Sequence, residues 1–179
     1  LEEDEAEELR TLIANRNFFG VEEVLDHMDV ADSVKEAFHL LPELTGGAEI
    51  LDQALSVAPG EKAGQAIHRL KQIDELLRLY GVEDHITFDL SMSGNYGYYT
   101  GIIFRAYTYG TGDAVVRGGR YDHLLEKFGK NTPSIGFAII LDELMNALNR
   151  QNIQIETGSR NLLVYTQDTE KWAILSLIH

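Results

Sequence analysis

Three observations predict an α+β chain whose sheet is antiparallel. Residues 1–80 place apolar side chains at helical spacing. Residues 85–141 carry alternating, β-branched and aromatic runs. Glycine-rich turns join those runs closely enough for hairpins, which link antiparallel rather than parallel strands.

The helices follow in order. Residues 2–14 set Leu9, Leu12 and Ile13 behind a block of acids, which suits the positive end of a helix dipole. Val21, Val24 and Leu25 recur after Gly20. Asp32 or Ser33 caps a helix through Val34, Ala37, Phe38 and Leu41, stopped near Pro42. Gly46-Gly47 breaks the chain. Ile50, Leu51, Ala54 and Leu55 make a short helix ended by Pro59-Gly60. The longest helix runs from about Lys62 to Tyr80, with Ala66, Ile67, Leu70, Ile73, Leu76, Leu77 and Tyr80 as its stripe and Gly81 as its stop. His27, His39 and His68 lack a partner ligand at i+4, so they read as packed or surface histidines rather than metal ligands.

The strands come next. Ile86, Phe88, Leu90 and Met92 alternate over residues 85–92. A Ser93-Gly94-Asn95 loop precedes a strand from Tyr98 to Tyr109. Gly110–Asp113 turns the chain back onto Ala114–Arg117. Gly118-Gly119 comes next, then Tyr121–Phe128 as a helical turn, Ser134–Leu141 as a strand and Asp142–Arg150 as a helix with Leu144, Ala147 and Leu148 inward. Leu162–Tyr165 and Glu170–Ile178 form one strand–helix step. With Leu rather than Met at position 1, the pattern suggests a piece of a longer chain.

Composition excludes several functions. The 179 residues include 29 acidic and 15 basic side chains, a formal charge of −14, against a nucleic-acid footprint. Residues 1–80 hold 18 acids and 7 bases, and residues 81–179 hold 11 and 8. The acidic half is either a contact surface or simply a solubilising one. There is no cysteine, so no disulfide, thiolate zinc site or cysteine nucleophile. No apolar run approaches the roughly 20 residues of a membrane helix, and Leu1-Glu2-Glu3-Asp4 is unlike a secretory signal. A cytoplasmic protein is the simplest expectation.

Six tyrosines (Tyr96, Tyr98, Tyr99, Tyr107, Tyr109 and Tyr121) fall in 26 residues among glycines. Tyrosine offers an apolar ring with a polar tip, and glycine lets a ligand or backbone approach closely. The pattern fits either a pocket for a small polar ligand or a tyrosine-rich sheet without one. Gly110-x-Gly112 and Gly118-Gly119 match no phosphate-loop spacing. Asp113, Asp122, Asp142 and Glu143 are available acids, and Arg105, Arg117 and Arg120 available cations. A single His123 beside Asp122 does not make a triad.

Three motifs carry a resemblance: Tyr98-Tyr99-Thr100-Gly101-Ile102-Ile103-Phe104, Gly118-Gly119-Arg120-Tyr121-Asp122 and Pro133-Ser134-Ile135-Gly136-Phe137-Ala138. In this order the stretch over about 83–150 resembles the back half of a histidyl-tRNA synthetase catalytic domain, a class II antiparallel sheet. The resemblance implies a helical insertion-like region at 1–82, a class II synthetase-like core segment at 83–152, and the beginning of a C-terminal α/β domain at 153–179. It places the histidine pocket at Tyr98, Tyr99, Gly118, Gly119, Tyr121 and Gly136.

Aligned on Tyr98-Tyr99, the family's catalytic arginine falls at Gly94 and its acid at Gly97. The final-motif arginine that grips ATP phosphate falls at Glu143, and its preceding glycine at Ile140. A carboxylate there reverses the sign of the phosphate interaction, so aminoacylation is not expected. Tyr98–Phe104 and Tyr107–Asp113 are more similar to the regulatory subunits of ATP phosphoribosyltransferase. That resemblance implies a non-catalytic subunit with no cofactor, partnered by a short-form catalytic ATP phosphoribosyltransferase in the first step of histidine biosynthesis. It also implies self-association and free histidine as a ligand. A divergent histidyl-tRNA synthetase fragment and a free-standing histidine-binding module are the alternatives.

Overall fold

The computed structural model describes residues 3–93 and 98–155. Its contacts divide it into two compact units, Leu1–Arg105 with Arg117–Ala138, and Ala106–Val116 with Ile139–His179.

The first unit opens with helices α1 (Glu3–Ala14), α2 (Phe18–His27), α3 (Asp32–Leu40), α4 (Ile50–Ser56) and α5 (Glu61–Leu79). Asn17 starts α2 by accepting the Gly20 amide on its side chain at 3.1 Å. A Cβ on Gly20 would stand 2.8 Å from Leu12, so α1 and α2 meet tightly at this residue. Leu9, Val21 and Leu25 form one small core, flanked by Leu12, Ile13, Val24 and Phe38. Leu44, Ile50, Leu51, Ala54, Ile67 and Phe88 form a second. Each fully buried leucine contributes about 1.5–3 kcal/mol by leaving water.

Several expected boundaries change. Ala31, not Asp32 or Ser33, caps α3, and it has no side-chain hydrogen bond. Asp32 instead lies in the first turn, where its charge faces the dipole's positive end. The chain after α3 does not simply break at Gly46-Gly47. Thr45–Gly46 forms β1 and pairs antiparallel with β2, Phe88–Asp89. The expected strand over 85–92 shrinks to those two residues. A 3₁₀ turn occupies Glu83–His85, and Asp89 Oδ1 accepts from the Ser91 amide and hydroxyl at 3.0 and 2.6 Å, curling the chain away. The alternation still holds: Phe88 is buried, and Ile86 and Leu90 pack on the same core. On α5, Ile67 and Leu70 face that core, but Leu76, Leu79 and Tyr80 are exposed. Beyond Leu70 the predicted stripe stays largely open, while Asp74 is buried and accepts from Arg78 Nε at 2.8 Å.

A three-stranded sheet has the order β3 (Ile103–Ala106), β4 (Val116–Tyr121), β5 (Ser134–Ile139). The Arg120 amide donates to Ile102 O at 2.8 Å and the Val115 amide to Ala106 O at 2.9 Å, so β4 runs back along β3, antiparallel. The expected Tyr98–Tyr109 strand is regular only at Ile103–Ala106. The strand expected at Ala114–Arg117 starts instead at Val116 and runs on through Gly118-Gly119, both buried inside β4. Tyr121 ends that strand, and the turn after it is the 3₁₀ segment Leu124–Phe128, closed by Gly129 at φ +77°.

In the second unit, α6 (Leu141–Arg150) follows β5 as expected, with Ala147 buried alongside Ala114 and Val115. Val115 donates to Ala106 O and Ile140 to Val115 O, both at 2.9 Å. Arg150 Nη1 donates to Gly110 O at 2.8 Å, and Gln151 Nε2 to Tyr109 O at 2.6 Å. These bonds tie the turn at Gly110 (φ +88°) to the end of α6. The strand and helix expected at Leu162–Tyr165 and Glu170–Ile178 lie outside the described residues.

Candidate functional site

The two faces of β4 carry different chemistry because successive side chains alternate across a strand. On one face, a Cβ at Gly119 would stand 2.6 Å from the Tyr99 ring and 2.9 Å from Ile102 O. A Cβ at Gly136 would stand 2.8 Å from the Tyr121 hydroxyl. The glycines therefore let both rings lie directly on backbone. Tyr98 completes the layer, 4.5 Å from Tyr99 between ring centroids and 6.2 Å from Tyr121 in an edge-on arrangement. Its hydroxyl donates to Tyr99 Oη at 3.5 Å. Gly118 belongs to the opposite face, where Phe104 and Phe137 fill the space of its missing side chain.

Five of the six pocket candidates thus come together: Tyr98, Tyr99, Gly119, Tyr121 and Gly136. Gly118 serves packing on the other side. Three phenol rings with their hydroxyl tips offer flat apolar surface and neutral hydrogen-bonding groups, chemistry matched to a small planar polar ligand.

A latch borders the layer. Arg120 Nε donates to Asp122 Oδ1 and Oδ2 at 2.9 and 3.1 Å, and the Asp122 amide donates to Thr100 Oγ1 at 3.0 Å. The Arg120 hydrogen bond holds the Asp122 carboxyl below its usual range, with Thr100 adding to the effect against a smaller burial cost. Arg120 also packs under Gly101, 3.0 Å from where a Cβ would lie. The latch pins the segment that carries Tyr98 and Tyr99. Sequence reading counted Arg120 and Asp122 as separate charges and missed Thr100. Their i, i+2 spacing on a strand was the available signal.

The remaining candidates are dispersed. His123 Nδ1 pairs with Glu126 at 2.8 Å, which raises its pKa above the ordinary value. Asp113 accepts from the Ala114 amide at 2.6 Å. Asp142 and Glu143 occupy the first turn of α6, where a carboxylate suits the dipole. Arg105 is exposed and Arg117 half-buried. Gly94 and Gly97 lie outside the described residues. Of the helix histidines, His27 donates to Glu23 O at 2.7 Å and His39 pairs with Glu22 at 3.0 Å. Among the described residues no group of three or more His, Cys, Asp or Glu could hold a metal, and no helix is long and apolar enough to cross a membrane.

Comparison with known proteins follows this geometry. The Histidyl-tRNA synthetase family profile matches residues 1–144. An ATP phosphoribosyltransferase regulatory subunit of Acetivibrio thermocellus is 36% identical over 174 residues, covering 97% of this chain and 42% of the relative. A regulatory subunit of the same name from Desulforamulus reducens is 41% identical over 151 residues, covering 84% and 37%. A crystal structure from Bacillus halodurans, titled an ATP phosphoribosyltransferase regulatory subunit/histidyl-tRNA synthetase, superposes with a TM-score of 0.75 at 31% identity, over 83% of this chain and 39% of that one. Histidyl-tRNA synthetase from Nostoc shares the fold, with a TM-score of 0.70 at 21% identity, over 99% and 44%. The chain spans about two fifths of the length of the curated relatives it matches. With the family profile matched over residues 1–144, the chain belongs to the histidyl-tRNA synthetase family.

Proposed function

We propose that the protein is a regulatory subunit of ATP phosphoribosyltransferase, without transferase or aminoacylating chemistry of its own. The observation that carries this reading is the match, over 97% of the chain, to a relative bearing that name. Glu143 supports it. A carboxylate at the position aligned with a phosphate-gripping arginine repels ATP, so the charge stabilisation that adenylation requires is reversed there. The partner is a short-form catalytic subunit in the cytoplasm, joined in a hetero-oligomer. The tyrosine layer of Tyr98, Tyr99 and Tyr121 over Gly119 and Gly136 is the candidate seat for free histidine, through which feedback would act if the two states of the complex bind it unequally.

The test mixes the full-length protein with a short catalytic subunit and follows phosphoribosyl transfer from phosphoribosyl pyrophosphate to ATP. Strong stimulation is expected, with none from the protein alone. Absence of stimulation alongside histidine-dependent adenylation by this protein would instead favour a divergent synthetase.

A further inference from the structure

The helices of the first unit contain an open cavity of about 290 Å³ unrelated to the tyrosine layer. Phe38 and Leu41 form one wall, Ala63, Ala66 and Leu70 of α5 the other, and Leu90 contributes to the lining. Every lining residue is apolar, and several are alanines whose short side chains leave the room. Phe38, Leu41 and Leu70 are only half-buried, and Ala66 is exposed, so the cavity is a groove open to solvent. A concave, contiguous apolar surface of this kind marks an interaction site.

The chemistry narrows the occupant. No polar side chain lines the groove, so a small polar metabolite gains no hydrogen bond there. Residues 3–43, which build α1, α2 and the Phe38 wall, hold 12 acids and 3 bases. Asp32 and Glu36 on α3 and Glu43 just beyond it are exposed. Phe38 also packs on the core that joins α1 and α2, the most acidic helices of the unit. On the α5 side Lys62 and Arg69 are exposed, while Lys71 is paired with Asp52. The field is therefore negative on the α1–α3 side. That disfavours a fatty acid's carboxylate, a nucleic acid, and a second copy of a chain of charge −14.

We propose that this groove receives a basic amphipathic helix of a partner protein. Its large apolar side chains enter the cavity between Phe38 and Ala66, and its Lys and Arg face α1–α3. The inference goes beyond the regulatory role and does not depend on which enzyme is the partner.

Fluorescence anisotropy tests it, using the full chain and a labelled amphipathic helical peptide of Leu and Lys, with a Leu/Glu peptide and laurate as competing probes. The Leu/Lys peptide should bind, weaken severalfold as salt rises, and lose affinity about tenfold or more on Ala66→Arg, which puts a long cation into the groove mouth. Ala63→Met, which fills the groove without charge, should weaken binding similarly while circular dichroism stays unchanged. Equal binding to wild type and both variants would reduce the effect to nonspecific charge and overturn the proposal. Tighter binding of laurate or of the Leu/Glu peptide would overturn it too. So would self-association in sedimentation that Ala66→Arg abolishes.

Discussion

The helical region and the tyrosine-bearing strands differ in where they spend their side chains. Helices α1, α2, α4 and α5, with Leu44 and β2, bury leucine, valine, isoleucine and phenylalanine in two small cores. In the sheet, β4 buries glycines, while Ile135, Phe137 and Ile139 of β5 remain 56–66% exposed. One region is held by volume. The other is held by close backbone approach, which leaves its aromatic rings as a surface. Shape in this sheet depends on missing side chains rather than on large ones.

The largest expected effect breaks the first half of that contrast. Leu51→Ala removes a side chain that is fully buried. It should cost about 2–5 kcal/mol, read as a shift in the urea midpoint at unchanged slope. A loss under about 1 kcal/mol would show that the helical core is loosely filled.

The second half predicts a smaller stability loss with a larger loss of binding. Gly119→Ala meets both the Tyr99 ring and the Ile102 carbonyl, so rotating the ring alone does not relieve it. A cost of about 1–3 kcal/mol is expected, together with weaker calorimetric heats on histidine titration. Tyr121→Ala should abolish those heats while costing less stability. Equal heats in wild type and Tyr121→Ala would remove the tyrosine layer from the histidine site.

The smallest effect sharpens the boundary between the regions. Burial tends to raise the Asp89 pKa, but hydrogen bonds from Ser91 and Arg16 outweigh it and leave the carboxyl below its ordinary value. Arg16 reaches it at 2.7 Å. A depressed carboxyl stabilises the fold above its unfolded pKa and loses that contribution as pH falls through the folded one. Asp89→Asn should therefore be destabilising by about 1 kcal/mol near neutrality and converge on wild type in acid below about pH 4. Denaturation curves across pH check this. A gap that widens in acid would contradict the sign.

Helices were the legible part. Their period survives in α5 because Ile67 and Leu70 find a core, and it overshoots at Leu76 and Tyr80, which are exposed among the described residues. The strands were read too long at Tyr98–Tyr109 and stopped too early at Arg117, before Gly118-Gly119. Local propensity treats glycine as a breaker, yet Phe104, Phe137 and Tyr99 occupy the space that makes those glycines fit a strand. In the site, residue types pointed to the tyrosines. Which face each glycine served depended on register, which one sequence does not carry.

The placement of β5 has a consequence for handling the chain in water. Among the described residues it is an outer strand of the sheet, and Ile135, Phe137 and Ile139 on it are exposed. Such an edge is a template for pairing with another molecule's strand. Repulsion between chains of charge −14 opposes that encounter. Salt shortens the reach of this repulsion to about 10 Å at 0.1 M and about 3 Å at 1 M, while apolar attraction is left intact. Raising ionic strength therefore drives this chain toward colloidal association, and dilute buffer is the condition that keeps it dispersed.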